Sequence, residues 1–494
     1  MSGYPLLSLA IWIPIVAGLL ILAVGRDSNP GLSRVLSLIG ALAGLLITIP
    51  LYTQFDASAT VMQFVELSPW IPRFNINYHL GVDGISMPFI ILNSFITLIV
   101  VLAGWQVIQF KVAQYNAAFL IMSGLFNGIF CALDGILFYV FFEASLIPMY
   151  LIIGIWGGHN RVYAAIKFFL YTLFGSLLFL VAQLYLFIYS GGSFSILDWH
   201  QMPIPMGPQI AIFMAFLIAF AVKVPMWPVH TWLPDAHPEA PTGGSIVLAA
   251  IALKLGAYGF LRFSMPIVPD ASHELAWLMI TLSLIAVVYI GFVALVQADM
   301  KRLVAYSSIA HMGFVTLGFF LFTPLAVEGA IVQMISHGFV AGAMFFCIGV
   351  IYDRLHSHLI ADCGGIVNKM PVYAAFLMLF AMANAGLPAT SGFVGEFMVI
   401  MGAVEVNFWV AAISATTMIV GAAYTLWMYK RVVFGDITNH HVEELTDINK
   451  REFAILAILA ICVLAMGLYP EPVTHIMHTS VNDLLRHVAI SKLQ

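Results

Sequence analysis

The chain has 494 residues, of which 62% are hydrophobic and only 9% are charged, and its mean hydropathy is +1.00. Soluble proteins carry about 25% charged residues, so this composition excludes a soluble globular fold and places much of the surface against lipid. The net charge is only −5, without a basic or acidic block, which argues against nucleic acid as a partner.

Motifs for cofactors and metals are lacking in the sequence. The four cysteines are scattered without CxxC spacing, which argues against an iron–sulfur cluster, a zinc site or a disulfide framework. Neither a glycine-rich phosphate loop nor a dinucleotide fingerprint is present. We therefore predict that the chain binds no cofactor and no metal of its own.

Fourteen stretches are long and apolar enough to cross a bilayer, which takes roughly 20 residues. The first lacks the basic start and the cleavage site of a secretory signal, so it is predicted to be a retained span. In chain order the predicted spans are 4–25, 33–53, 84–108, 116–134, 135–156, 163–190, 209–231, 243–264, 275–297, 303–323, 327–352, 371–404, 406–430 and 452–470. The predicted fold class is an all-α integral membrane protein.

Lysine and arginine predict the orientation, because cytoplasmic loops are enriched in both. With both termini outside, the cytoplasmic loops hold twelve such residues: Arg26, Arg34, Lys111, Arg161, Lys301, Arg302, Arg354, Lys369, Lys430, Arg431, Lys450 and Arg451. The outer loops hold four, namely Arg73, Arg262, Arg486 and Lys492. This asymmetry predicts that both termini lie on the outer side and supports an even number of spans.

Prolines and glycines interrupt two of the spans. Pro225 and Pro228 follow Lys223 in the seventh span, and residues 385–392 interrupt the twelfth. Freed backbone groups in lipid need new partners, so such breaks persist only inside protein or beside water. The breaks lie five spans apart, and an odd offset inverts the second unit relative to the first. Spans 4–8 and 9–13 are therefore predicted to form two inverted five-helix repeats, as in transporters.

The predicted domains follow from these repeats. They are a three-helix segment over 1–115, the first repeat over 116–265, the second repeat over 266–430, and a last loop, span and short tail over 431–494.

Six ionisable side chains lie near the middle of predicted spans, where a lone charge costs on the order of 2.5–3.5 kcal/mol. They are Glu143, Lys223, Lys254, His311, His337 and Glu396. Because the collective cost is large, we predict that they line one hydrated axis. Lys254 has no carboxylate partner in its own helix, and a lysine in a desolvated site can exchange its proton near neutral pH. The pattern therefore predicts a proton relay.

Structural interpretations compete with this one. Glu143 and Lys223 fit a static ion pair that only holds helices together. His311 and His337 fit satisfied core histidines as well as they fit relay members. Lys167, near the cytoplasmic end of span six, fits a side chain that reaches to the interface.

The proline-rich connection after the seventh span is the most distinctive part of the sequence. It carries His230, Asp235, His237 and Glu239 below Lys223. These side chains fit a proton-collecting mouth or an ordinary polar loop. They could also be metal ligands, although their spacing matches no standard site.

Segment 222–244, VKVPMWPVHTWLPDAHPEAPTGG, closely resembles the signature of the antiporter-like subunits of respiratory complex I, the proton-pumping NADH:quinone oxidoreductase. Further similar stretches are 79–86, 165–169, 299–308 and 391–397. The resemblance is strongest to the chain M type. The related chain L type has a lysine at the terminal position and a long lateral helix, whereas this sequence has Glu396 and only 24 residues after Pro470.

The resemblance implies fourteen helices in two inverted repeats, and it implies roles for the six side chains. Glu143 and Lys223 correspond to the interacting pair, Lys254 to the central relay and Glu396 to the terminal proton-loading residue. His311 and His337 correspond to polar groups between them. The implied protein is a subunit of a translocase, without a redox site of its own. It moves protons in the bacterial cytoplasmic membrane, driven by quinone reduction elsewhere, beside other membrane subunits that include further antiporter-like ones.

Two other functions remain open at this point. A subunit of a multi-subunit Na⁺/H⁺ antiporter shares the broken helices and buried lysines, but the match at 222–244 and 79–86 favours complex I. A purely structural membrane scaffold would use the charges only to hold helices together. Charge-neutral replacements that stop transport without disturbing assembly would exclude the scaffold.

Overall fold

The computed structural model describes residues 4–26, 29–437 and 439–493. Apolar sequence in lipid folds into helices because every backbone polar group must find its partner within the segment. The helices of the first half are α1 (Leu6–Val24), α2 (Pro30–Thr53), α3 (Met87–Val107), α4 (Val112–Cys131), α5 (Gly135–Ala144), α6 (Leu146–Trp156), α7 (Arg161–Tyr189), α8 (Ile196–Gln201), α9 (Met206–Lys223), α10 (Leu233–Glu239), α11 (Thr242–Val247), α12 (Leu253–Gly259) and α13 (Met265–Ile267).

The second half continues in the same way. Its helices are α14 (Pro269–Glu274), α15 (Ala276–Ile285), α16 (Gly291–Leu295), α17 (Met300–Phe320), α18 (Pro324–Leu355), α19 (Pro371–Asn384), α20 (Ser391–Val406), α21 (Phe408–Val433), α22 (His440–Glu443), α23 (Lys450–Leu468) and α24 (Glu471–Val488). Within the described ranges, twelve helical segments are long and apolar enough to cross a membrane. The prediction of a mostly helical protein with many spans is confirmed.

Both predicted interruptions are present. α9 ends at Lys223 and the chain becomes helical again at Leu233, while α19 and α20 are separated by residues 385–390. The indole N–H of Trp232 donates to the carbonyl of Val222 at 2.8 Å, so a carbonyl freed by the first break gains a partner inside the protein. In the second break Gly386 adopts φ +78°, a conformation that favours glycine.

Two π-helical turns interrupt the span that carries Lys254. They cover Leu248–Ala252 and Phe260–Ser264, with α12 between them. A π turn redirects a backbone hydrogen bond and frees a carbonyl, and such turns are frequent at functional sites. Sequence periodicity did not predict either of them.

A β-hairpin between α2 and α3 departs from the all-α prediction. β1 (Gln63–Ile71) pairs antiparallel with β2 (Ile76–Val82), with Leu67 opposite His79. The strands lie between predicted spans, where hydrophobic length gives no signal. Residues 76–82 alternate apolar and small or polar side chains, which is the strand signal that length alone misses. We call the side of the bundle that carries this hairpin the hairpin face.

A buried ion pair fastens the hairpin to the span of Lys254. Arg262 lies in the second π turn, and its Nη2 is 2.7 Å from Oδ2 of Asp83, which follows β2. Arg262 Nε also donates to the hydroxyl of Tyr258 at 2.9 Å, and Asp83 Oδ1 accepts the backbone N–H groups of Ile85 and Ser86. The prediction counted Arg262 among the loop residues of the outer side, but it lies in a helical turn with its charge neutralised inside the protein.

The tail after Pro470 forms an amphipathic helix, α24, on the hairpin face. Ser480 Oγ accepts the backbone N–H of Gly84 at 2.9 Å. Beyond the helix, Lys492 Nζ donates to the carbonyls of Trp199, Pro266 and Ile267 at 3.0, 2.8 and 3.1 Å. The tail therefore ties α8 and α13 together, so Lys492 is also buried instead of solvated.

Two histidines make this docking sensitive to acid. The rings of His200 on α8 and His487 on α24 have centroids 5.8 Å apart. Burial lowers the pKa of His200 to about 3 and also lowers the pKa of His487. A released histidine titrates near 6.5, so between about pH 3 and 6.5 the released state binds more protons than the docked state. We expect docking to weaken as the pH falls through this window, by about 1.4 kcal/mol per pH unit at most for His200.

Limited proteolysis of the detergent-solubilised protein would measure this effect. Cleavage within α24 should become faster between about pH 7 and pH 5, and His200→Gln should reduce the pH dependence. Cleavage that is equally slow at both pH values in the wild type would contradict the prediction.

Candidate functional site

Lys254 lies on α12 and its side chain is completely buried, with 0% of the residue exposed. In the preceding π turn the N–H of Leu253 bonds to the carbonyl of Leu248, which frees the carbonyl of Ala249. The Lys254 ammonium donates to this freed carbonyl. Lys254 Nζ also lies 2.7 Å from His337 Nδ1 on α18. The local helix geometry thus holds the lysine toward a histidine, and no carboxylate among the described residues pairs with it.

A second hydrogen-bonded group continues the line from His337. The ring of His311 on α17 has its centroid 5.8 Å from that of His337. His311 Nδ1 lies 2.7 Å from Glu396 Oε1 on α20, and Gln333 Nε2 donates to the same oxygen at 3.1 Å. All five side chains are buried. The structure therefore brings Lys254, His337, His311 and Glu396, four of the six predicted residues, into one polar line.

Each of the two histidines has one ring nitrogen without a partner. Nε2 of His311 and Nε2 of His337 are buried and have no hydrogen-bond partner among the described residues. Buried polar atoms are normally hydrogen-bonded, so these nitrogens are able to bind water. A water bound there would extend the hydrogen bonds along which a proton can pass.

Gln333 belongs to the line but was not predicted, because the six candidates were chosen by charge and Gln333 is neutral. It lies four residues before His337, on the same face of α18. Gly395 allows the close approach, since a Cβ there would lie 2.7 Å from the Gln333 Cα atom. The sequence signal that could have identified Gln333 is its position one helical turn before His337, a histidine inside a predicted span.

Glu143 and Lys223 lie beside this line but do not form an ion pair within 4.0 Å, in the parts of the chain that the structure describes. Lys223 is buried and its Nζ lies 4.3 Å from the ring centroid of Phe142, the neighbour of Glu143. Glu143 Oε1 is buried without a hydrogen-bond partner. A Cβ on Gly256 would lie 2.8 Å from Lys223 Cβ, so the helices of Lys223 and Lys254 touch.

Asp235 in the connection after α9 is held by two cations. Its carboxylate binds Lys167 Nζ at 2.7 Å and Arg302 Nη2 at 3.2 Å. The sequence indicated Lys167 only as a side chain that reaches to the membrane interface, and it did not predict the ion pair with Asp235. Asp235 therefore has a defined structural role at this end of the helices.

His237 in the same connection is also completely buried, with 0% exposed, and it stacks on Phe345 at 4.2 Å between centroids. Neither of its ring nitrogens has a partner among the described residues. Over the same residues, no group of three or more histidine, cysteine or acidic side chains is arranged to hold a metal ion. His237 is thus a buried polar group outside the line, with its ring packed on Phe345.

Comparison with known proteins adds an independent finding. The family model described as NADH:quinone oxidoreductase/Mrp antiporter matches residues 132–421, and that described as NADH-ubiquinone oxidoreductase chain 4, amino terminus, matches residues 35–131. NADH-quinone oxidoreductase subunit M of Rhodobacter capsulatus is 47% identical over 98% of this chain and 96% of its own length.

Solved structures agree with these matches. A chain of respiratory complex I from Thermus thermophilus is 30% identical with a TM-score of 0.88, over 97% of this chain and 99% of that chain. A chain of the Mrp complex from Dietzia has a TM-score of 0.85 over 99% of this chain and all of that chain, but is only 20% identical and so shows the fold alone. With relatives so similar over nearly their full length, the chain belongs to the family of NADH-quinone oxidoreductase M subunits.

Proposed function

We propose that this chain moves protons across the membrane along the line from Lys254 to Glu396, coupled to quinone reduction elsewhere in an NADH:quinone oxidoreductase. One observation carries the proposal: a fully buried lysine, with no carboxylate partner in the described part of the chain, shares a hydrogen bond with His337. A buried amine in this position can hold a proton and release it to the imidazole. Intramembrane ionisable groups that face the interior of a bundle typically mark ion pathways.

The pair formed by Glu143 and Lys223 supplies the control step. While the pair is open, the Lys223 charge is not neutralised and opposes a second positive charge on the adjoining helix of Lys254. Closing the pair would remove this repulsion and increase the proton affinity of Lys254. The proton would then pass through His337 and His311 to Glu396. Reopening the pair would favour release.

The energies are compatible with such a step. Moving one charge against a membrane potential costs about 2.3 kcal/mol per 100 mV. A tenfold change in proton affinity corresponds to about 1.4 kcal/mol. A change of one to two orders of magnitude in the affinity of Lys254 therefore matches the work of transport.

The proposed topology has fourteen spans, obtained by adding α4 and the broken pair α19–α20 to the twelve apolar segments. In this arrangement the two breaks occupy the fourth position of two inverted five-helix repeats, which supports the domain limits 116–265 and 266–430. The hairpin face is outward, with both termini on the periplasmic side of a bacterial cytoplasmic membrane. Further membrane subunits of the oxidoreductase, including antiporter-like ones, are the proposed partners.

The alternative of a Na⁺/H⁺ antiporter subunit rests on the Mrp-like fold. The relatives that are 42–47% identical carry oxidoreductase names, whereas the Mrp likeness lies at 20% identity. We therefore favour the oxidoreductase.

Charge-neutral variants of the two glutamates test the proposal. NADH-driven pumping in membrane vesicles should fall at least about tenfold in Glu396→Gln and Glu143→Gln, because neither amide can carry or control a proton. Glu405→Gln, on the exposed end of α20, is the matched control and should pump normally. Native gels would confirm assembly. Normal pumping in both variants would contradict the proposal and assign the charges a structural role.

A further inference from the structure

A second titratable pair lies between the Lys254–Glu396 line and the hairpin face. Glu328, near the start of α18, has a side chain that is only 10% exposed, and its Oε1 lies 2.6 Å from His478 Nδ1 on α24. His478 is 62% exposed, and its Nε2 lies 3.1 Å from the amide of Asn482. One member of the pair is therefore inside the protein and the other is in contact with solvent.

The position of Glu328 relates it to Glu396. Glu328 precedes Gln333 by five residues on α18, which places it about 7.5 Å nearer the hairpin face along the helix axis. Gln333 donates to Glu396. α18 and α20 touch at this level, because a Cβ on Gly329 would lie 2.6 Å from Met398 Cβ and 3.1 Å from the carbonyl oxygen of Gly395. Gly329 follows Glu328 and Gly395 precedes Glu396, so each glutamate is next in sequence to a glycine at the contact between α18 and α20.

The other end of the pair opens into a cavity of about 570 Å³ on the hairpin face. Besides Glu328 and His478, the ionisable groups that line it are Asp56 after α2 and Glu471 and His475 on α24. Acidic groups in the wall attract protons and favour their release into the cavity. The cavity therefore supplies a hydrated acceptor beside an exposed imidazole.

We propose that Glu328 and His478 form the outward exit for the proton that leaves Glu396. Glu396 gives up its proton and becomes a carboxylate, and the Glu328 carboxylate takes it up. The proton crosses from Glu396 to Glu328 through water molecules at the contact between α18 and α20. Glu328 then passes the proton to the unprotonated Nδ1 of His478, and His478 releases its Nε2 proton to cavity water. His478 is left with its proton on Nδ1, and exchange of this proton through cavity water to Nε2 returns the imidazole to its starting tautomer. No electron moves.

The exit deepens the proposed transport function and rests on it. The competing explanation is that the Glu328–His478 bond only docks α24 onto α18. Glutamine at position 328 distinguishes the two explanations, since its amide can still bond to the imidazole but cannot carry a proton at this site. A docking role predicts that loss of function follows loss of assembly, whereas a transport role predicts loss of pumping in an assembled protein.

NADH-driven pumping in vesicles containing the whole complex is the test, with assembly followed on native gels. We expect Glu328→Gln and His478→Gln to assemble and to lose pumping at least fivefold, toward the level of Glu396→Gln. Glu328→Asp keeps a carboxylate and should recover most of the loss. His475→Gln is the matched control, because it removes an imidazole from the same cavity wall without touching the Glu328–His478 bond.

The outcomes separate the exit from the transport line. If Glu396→Gln abolishes pumping while Glu328→Gln and His478→Gln pump as wild type, the exit is overturned and the transport line stands. The exit is also overturned if Glu328→Gln and His478→Gln lose pumping only in proportion to their loss of assembly. The same holds if His475→Gln loses as much pumping as these two variants. If Glu396→Gln itself pumps normally, the transport line fails, and the exit fails with it.

Discussion

Vesicles that carry Lys254→Met should contain an assembled complex that pumps protons at less than about a tenth of the wild-type rate. Methionine fills a similar volume, so the packing between the two π turns is retained, while the only amine of the line is lost. His337 keeps its place on α18 but has no lysine from which to receive a proton. NADH-driven quenching of a pH-sensitive dye in the vesicles would measure the pumping rate.

Lys254→Arg sharpens this prediction. Arginine keeps the positive charge but does not release its proton in proteins. We expect it to pump as poorly as methionine, because the line needs a proton that moves and not only a charge. Lys369→Met, at an exposed position outside the line, is the matched control for the loss of a lysine. Normal pumping in Lys254→Arg would show that a fixed charge is sufficient and would remove lysine from the relay.

Asp83→Ala should destabilise the protein strongly. The substitution leaves the Arg262 guanidinium buried without its carboxylate, and removing one partner of a buried ion pair typically costs about 3–5 kcal/mol. Arginine cannot avoid this cost by losing its proton. We expect a much lower midpoint of thermal unfolding in detergent and little assembled complex on native gels.

A double substitution separates this charge effect from the loss of packing. Asp83→Leu combined with Arg262→Leu removes both charges, so most of the stability should return. Asp483→Ala breaks the exposed pair with Arg486 and is the matched control. It should cost less than about 1 kcal/mol, as is usual for surface ion pairs. Equal destabilisation by Asp83→Ala and Asp483→Ala would show that the buried pair has no special role.

The sequence was sufficient to predict the features that depend on hydrophobic length and on intramembrane charge. A run of apolar residues has to become a helix in lipid, and prolines after Lys223 have to interrupt one. Lys254 and Glu396 were visible because a charge inside a span is costly and rare. Because buried charges need polar neighbours, four of the six predicted side chains lie next to one another in the line from Lys254 to Glu396.

Other features depend on information that a span count does not contain. Arg262 and Asp83 are far apart in sequence, so an arginine near the end of a span could not be distinguished from a solvated loop residue. The buried position of Lys492 depends on three carbonyls from two distant elements. Gln333 carries no charge, and its importance follows only from its contact with Glu396. Such features depend on tertiary pairing, which local periodicity does not report.

The two π turns around Lys254 make the number of residues in this span as important as their identity. Each wide turn accommodates one residue more than an α-helix would, so the helix on either side keeps its orientation while one carbonyl is left free. Deleting a single residue from 248–252 would restore an ordinary turn, in which the helix itself uses every carbonyl. The lysine would still be present on the same side of the helix, but its ammonium would lose the carbonyl to which it now donates. We therefore expect a deletion at this position to disturb Lys254 without changing any side chain of the line.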